Sequence, residues 1–503
     1  MRRLPLWGAT ALIALSQPVL ADKASNSINA AFNQEAASLD SYHESGRVGL
    51  IIGRLLYDGL LSKDHKTGEF VPELAQSYDI VSDTEISFKI RPGVKFHNGQ
   101  TMTAEDVAYT LNKVSDPAYG ARYSLAVGWI KDAKVTGEDT VLLTMKQPFP
   151  LALEMLAGNL PIYPKAYYEE AGPAGMGVKP VGTGPYRLVD MTQGVHFVLE
   201  RFEDYYEGGQ KSGATIDKLD LRVLPELNTQ YAELMNGNLD WLWRVPTDDI
   251  ERLARIPDVK VDSAGIMRIE YVGFNPNALD GKSPVADVRV RQAINHAINR
   301  DRMRKALAGD AALLMNSACN PVQFGCTQDV TRYDHDLDKA KALMAEAGYA
   351  DGFEIELVHA AVPAIDAEVI AAELSKIGIK ATLNAQQYAS AIDMWRSGKA
   401  PFFLTNWGSY GVGDVGLSTG NFFGGSADDV IKDPVLVPIV AEANESMDRA
   451  RREELYAQAL RHVADQAYWV PLWTYSVNSP MANDLELKTD PDEFVPFYKA
   501  RWN

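Results

Sequence analysis

Residues 353–383 limit the fold most narrowly. Phe353, Ile355 and Leu357 alternate as a strand does, Asp366 to Ile377 carries a helical pattern ended by Gly378, and Ile379, Ala381 and Leu383 resume the alternation. A strand that leaves through a helix and then returns joins its sheet as a parallel neighbour. The chain therefore needs an α/β architecture: mixed sheets containing a crossover, covered by helices.

The elements around this unit agree with such a plan. Arg289 to Leu307 reads as helix, with Val290, Ala293, Ile294, Ala297 and Ile298 on one face. Ala340 to Ala347 is a helix stopped by Gly348, and Arg451 to Ala467 is another, followed by the aromatic strand Tyr468 to Trp473. Earlier, Ser87 to His97 reads as strands around a Pro92-Gly93 turn. Thr103 and Asp106 then have capping-box spacing, with the shorter acid, before a stripe of Val107, Leu111 and Val114.

Length and charge narrow the class further. At about 150 residues per domain, 503 residues suggest roughly three domains, and 46% hydrophobic residues can fill sizeable cores. The formal net charge of −18 disfavours phosphate backbones and anionic membrane surfaces as partners.

The N-terminus has the pattern of a secretory signal peptide spanning residues 1–21. Arg2 and Arg3 form its basic end, Leu4 to Leu15 is uncharged, and Val19-Leu20-Ala21 puts small residues at a cleavage site before Asp22. The apolar run is shorter than the roughly 20 residues a membrane span needs. The mature chain is therefore expected outside the cytoplasm without membrane insertion. Its two cysteines, Cys319 and Cys326, flank a loop containing Pro321 and Gly325, and in an exported chain they are expected to form one disulfide.

Motifs for chemistry are weak. Eight histidines lie scattered without H-x-x-x-H or H-E-x-x-H spacing. Gly281-Lys282-Ser283 lacks the preceding glycine of a phosphate loop, since Pro276 stands there. Gly182-Thr183-Gly184-Pro185 runs into a proline and reads as a turn. Neither a catalytic residue, a metal site nor a cofactor is expected. Aromatic clusters near turns are more informative: Trp241 and Trp243 before Arg244, and Trp407 to Tyr410 before Gly411-Val412-Gly413-Asp414. Aromatic faces beside a few polar groups suit a cleft for an organic ligand, although Trp241 and Trp243 also suit a core.

Longer motifs resemble a known family. Tyr57-Asp58-Gly59-Leu60, Val71-Pro72-Glu73-Leu74-Ala75, the run Phe88 to Gly99 and Thr103-Ala104-Glu105-Asp106-Val107 occur in order. Gly182 to Tyr186, Asp287 to Ile294, Asp338 to Lys341 and Glu346 to Tyr349 follow. Together these resemble the extracellular solute-binding proteins, family 5: dipeptide, oligopeptide, nickel and opine receptors of ATP-binding cassette importers.

The resemblance implies a two-lobed periplasmic-binding-protein fold of the type II, three-domain kind, with a cleft between the lobes. One lobe would combine a core domain (22–47, 186–264 and 477–503) with an inserted domain (48–185), and 265–476 would form the other. It also implies a monomer that captures a peptide or peptide-like solute, or alternatively an opine, oligosaccharide or metal chelate, and hands it unaltered to permease subunits. The candidate ligand residues are Trp243, Arg244, Trp407, Gly408, Ser409, Tyr410 and Asp414. In the family's dipeptide receptors, an Asp soon after a Trp-containing strand end holds the peptide amine, which makes Asp414 the candidate cation partner. The family's carboxylate-binding Arg has no counterpart within Leu357 to Ile370. Arg244 is the candidate for that missing charge.

Overall fold

A computed structural model describes residues 23–503 except 45, 65, 66 and 159, so the signal peptide expected at 1–21 lies outside the described residues. The dominant feature is a ten-stranded mixed sheet. Its strands are β1 (Ser27–Phe32), β2 (Tyr186–Thr192), β3 (His196–Arg201), β4 (Lys218–Val223), β5 (Trp241–Leu242), β6 (Val259–Phe274), β7 (Phe353–His359), β8 (Ile379–Ala385), β9 (Phe402–Trp407) and β10 (Trp469–Ala482). In space they run β8-β7-β9-β6-β10-β5-β1-β4-β3-β2.

The expected crossover is present. β7 and β8 pair in parallel, Ile355 opposite Ala381 and Leu357 opposite Leu383, with the helix Ala364–Ser375 between them in sequence. Ala367, Ile370 and Leu374 bury that helix against the sheet.

β6 and β10 join the two ends of the sheet. They pair antiparallel from Val259 opposite Ala482 to Gly273 opposite Trp469, and their register shifts between Gly265 and Ile269. On one side of that shift β10 meets β5 at Met481 and Trp241, and on the other β6 meets β9 from Ile269 to Phe274. A register shift loosens the ladder and re-aims the strands. The buried side chains divide accordingly: one large cluster gathers mainly residues 28–223 and 477–500, and two others lie within 269–473.

A separate antiparallel sheet is made of Ala75–Ser82, Glu85–Ile90, Thr140–Met145 and Ile130–Gly137, in that spatial order. The helix Ala104–Ser115 packs beside it, and both halves of the capping box form: Thr103 N–H donates to Asp106 Oδ2 at 2.9 Å. Val107, Leu111 and Val114 are buried as their spacing requires.

Two local expectations are corrected. Ladder pairing after the Pro92-Gly93 turn is limited to a single bridge between Lys95 and Thr101. Val94 and Phe96 are buried by a turn, in which Phe96 N–H bonds Gln100 O and Met102 N–H bonds Val94 O. The helix expected from Arg289 to Leu307 instead ends at Ala297. The Asn299 side chain accepts from Arg302 N–H, starting the short helix Arg300–Met303. Asparagine competes with the helix backbone for such bonds, and apolar periodicity does not register it.

The turn Gly182–Gly184 is a close approach. A Cβ on Gly182 would stand 2.1 Å from Leu56 O, and one on Gly184 2.3 Å from Leu55 O. No helix among the described residues is long and apolar enough to cross a membrane.

Candidate functional site

β9 ends at Trp407, and the chain turns sharply after it. Ser409, Tyr410 and Gly411 take successive positive φ values of 48°, 49° and 80°. Only glycine adopts that region freely, so the surroundings must hold Ser409 and Tyr410 there. The loop between the cysteines does much of this work. Cys319 and Cys326 are joined in a disulfide, as expected. From inside their loop Gln323 Nε2 donates to Ser409 Oγ (3.1 Å) and Val412 O (2.9 Å). Phe324 N–H donates to Gly413 O and Val415 N–H to Phe324 O, a small parallel bridge.

Held in this way, Tyr410 projects outward, 38% exposed, and stacks on Tyr123 with ring centroids 4.2 Å apart. Close by, Gly413 N–H reaches Glu154 Oε2 at 3.4 Å, and Glu154 pairs with Lys63. The 407–413 loop thus meets residues 63, 123 and 154 across a hollow of about 440 Å³. Its walls include Tyr57, Asp58, Lys63, Glu154 and Lys211, with Tyr410 and Gly411 closing one side. Beneath it, Lys211 Nζ contacts Asp58 Oδ1 at 2.7 Å, and Tyr206 OH donates to Glu73 at 2.8 Å. Burial, aided by the charge of Asp58, raises the Glu73 carboxyl above its ordinary range.

Beside the hollow four arginines surround two acids of the C-terminal segment. Arg54 contacts Asp492 Oδ2 at 2.6 Å. Glu493 receives Arg47 at 3.3 Å and Arg268 at 2.9 Å, and also contacts Arg244. Arg268 also donates to Asn406 Oδ1 at 2.7 Å, just before Trp407. Arg244 has φ 56° and lies 4.4 Å above the Trp243 ring. Burial lowers all three guanidiniums that share Glu493: Arg244 to about 9, with Arg268 and Arg47 adding to the fall, Arg268 to about 10, helped by Arg47, and Arg47 to about 10.

Several expected ligand residues are therefore placed differently. Trp243 is wholly buried, edge-on to Phe32 at 5.5 Å, so it supports Arg244 from below and presents no face to a ligand. Asp414 is buried and bound to Arg452 at 2.7 Å and to Gly416 N–H at 2.8 Å. That engagement places Asp414 differently from the expected cation partner of a ligand, since its carboxylate is already taken by Arg452 and Gly416 N–H. Ser409 is also buried, its hydroxyl accepting from Gln323. Trp407 and Gly408 are partly exposed, Gly408 against the Arg268 guanidinium, and Tyr410 faces the hollow.

Sequence reasoning missed Arg47, Arg268, Tyr123 and Glu493. They come from four distant segments with no shared spacing, and no local signal marks them. Among the described residues no cluster of His, Cys, Asp and Glu could hold a metal ion.

Comparison with known proteins adds a further set of findings. A family model described as bacterial extracellular solute-binding proteins, family 5, middle region, matches residues 69–429. The glutathione-binding protein GsiB of Pectobacterium atrosepticum is 27% identical, with 99% of this chain and 98% of that protein covered. The dipeptide-binding protein of Escherichia coli K12 is 26% identical, covering 86% of each. Among solved structures, the periplasmic binding protein DppA from Helicobacter pylori in complex with peptide STSA superposes with a TM-score of 0.78 at 23% identity, covering 95% of this chain and 98% of that one. This likeness identifies the fold as that of the periplasmic peptide-binding proteins.

Proposed function

Because the chain belongs to the bacterial extracellular solute-binding proteins, family 5, we propose that it is the receptor of an ATP-binding cassette importer. It captures a peptide or peptide-like solute between two lobes and delivers it, unaltered, to membrane permease subunits. Residues 1–21 direct its export to the periplasm, where it acts as a monomer.

The observation that carries this reading is the stack of Tyr410 on Tyr123 over a hollow of about 440 Å³. Pockets of roughly 300–1,000 Å³ suit small organic ligands. The lobes are 22–264 together with 477–503, and 265–476. Their boundary falls beside the register shift of β6 and β10 between Gly265 and Ile269, which serves as the hinge. A ligand touching both lobes binds the closed form better than the open one, and so shifts the population towards closure. Arg244, Trp407, Gly408 and Tyr410 stay in the ligand-facing set, with Tyr123 added.

The test is a thermal-shift screen of the purified mature protein against dipeptides, tripeptides, opines, sugars and metal chelates. Ligand at 100 times its dissociation constant adds about 2.7 kcal/mol, which such a scan detects. A rise in melting temperature with peptide-like compounds supports the reading. Silence with every peptide, together with a response to a sugar or a chelate, overturns it.

A further inference from the structure

The arginine cluster is more than the carboxylates beside it require. Arg47, Arg54, Arg244 and Arg268 face Asp492 and Glu493, leaving two positive charges in excess among these six groups. Two further acids, Glu270 and Asp366, act together with Arg268 on the Tyr475 hydroxyl. Tyr475 donates to Glu270 Oε2 at 2.6 Å, and burial favours the protonated form of both acids. Even with one negative charge assigned to that pair, these eight groups keep one positive charge in excess.

Three further observations show that the excess is held ready rather than satisfied. Arg268 Nε is buried with no hydrogen-bond partner. Arg244 is kept in a left-handed backbone conformation that a non-glycine residue occupies only under constraint, its guanidinium braced on the Trp243 ring. The cluster also adjoins the hollow. Arg54 lies 3.5 Å over the Phe494 ring, Arg47 5.0 Å over the same ring, and Phe494 lines the cavity wall beside Gly411. Guanidinium groups with fixed planes and little water are suited to carboxylates, which they bind through paired N–H donors.

From this cluster we infer that the solute is a net anion, with an acidic group seated between Arg244 and Arg268 and Glu493 acting as the site's built-in counter-charge. The inference deepens the proposed function by naming the ligand's charge, and it rests on that reading for the ligand's peptide character. The site takes its positive charges from three places in the fold: the helix Arg47–Leu56, the turn after β5, and β6. An acid placed there touches both lobes, so it favours the closed form as well as the bound one.

The experiment is calorimetry on the purified mature protein with L-Ala-L-Glu, L-Ala-L-Gln and L-Ala-L-Lys, and with glutarate as a dicarboxylate that is not a peptide. The acidic dipeptide is expected to bind at least about tenfold more tightly than its amide isostere, and the lysyl dipeptide most weakly. Arg268→Gln should bring the acid-to-amide ratio close to one, and Arg268→Lys should restore part of it. Arg244→Gln gives a second measurement should the first variant fold poorly. Equal affinity for acid and amide overturns the inference and leaves the peptide reading standing. A preference that survives both variants also overturns it. Binding of glutarate without any dipeptide supports the anion site and sinks the peptide reading, whereas no response to any of the four probes overturns the inference.

Discussion

Tyr410 stacks on Tyr123 at a centroid separation of 4.2 Å and an interplanar angle of 24°. The two residues lie 287 positions apart, and on the proposed two-lobe reading they belong to different lobes. On that reading the contact forms only when the lobes close on each other, which makes it a direct handle on closure.

An aromatic stack of this kind contributes about 1 kcal/mol beyond burial. Tyr410→Ala is therefore expected to weaken ligand affinity by about fivefold. Tyr123→Ala should do the same, and the double variant should cost little more than either alone. A double-mutant cycle by calorimetry checks this, and purely additive losses would count against the stack as a closing contact.

The disulfide braces the ligand-facing loop as well as its own. Closing an eight-residue loop contributes about 2 kcal/mol of stability. The double substitution Cys319→Ser/Cys326→Ser is expected to lose about that much in urea unfolding. It should also weaken ligand binding, because Gln323 and Phe324 hold Ser409, Val412 and Gly413 from within that loop. Lost stability with unchanged affinity would show that the brace has no bearing on the site.

Asp414 is expected to matter for folding rather than for ligand selection. Removing one partner of a buried ion pair costs about 3–5 kcal/mol, and the Asp414–Arg452 pair is buried on both sides. Asp414→Asn should lower the unfolding free energy by about 3 kcal/mol. The order of preference among acidic, neutral and basic dipeptides should stay the same. A reversal of that order would put Asp414 back in the ligand site.

His97 sets an acid limit. Its Nδ1 accepts from Gly182 N–H at 3.3 Å, and its Nε2 donates to Gly184 O at 3.0 Å, an arrangement that fixes a neutral ring. Burial lowers it to about 4 from an ordinary value of 6.5, with the Gly184 carbonyl opposing. Between these values the unfolded chain binds more protons than the folded one. The His97 contribution is therefore whole above pH ~6.5 and is lost as the pH falls towards ~4. Asp366 works in the opposite direction: burial raises it to about 6, so its contribution is present in acid and lost as the pH rises through that value. Urea unfolding at pH 7 and pH 5 should show about 2 kcal/mol more acid loss in the parent protein than in His97→Gln. Parallel losses in the two proteins would exclude His97 as the cause.

Much of the architecture was legible because it rests on local rules. Alternation at Phe353, Ile355 and Leu357, a helix, and alternation again at Ile379 to Leu383 produced the parallel pair β7–β8. Thr103 and Asp106 produced their capping box. Cys319 and Cys326 produced their bond. Competing side-chain chemistry broke the pattern where periodicity alone was used: Asn299 restarts a helix that apolar spacing would have continued. The site was legible only in part. Aromatic density pointed to Trp407 and Tyr410, but the same signal at Trp243 belonged to the core against Phe32.

By itself, the sequence determined which segments become strands and helices, that they assemble as α/β layers, and to which family the chain belongs, because periodicity, caps and ordered motifs act between residues close along the chain. Only the tertiary structure decided which charges meet. Arg47, Arg244 and Arg268 converge on Glu493, while Asp414 is claimed by Arg452, because long-range pairing of the ten-stranded sheet brings together side chains that no sequence spacing relates.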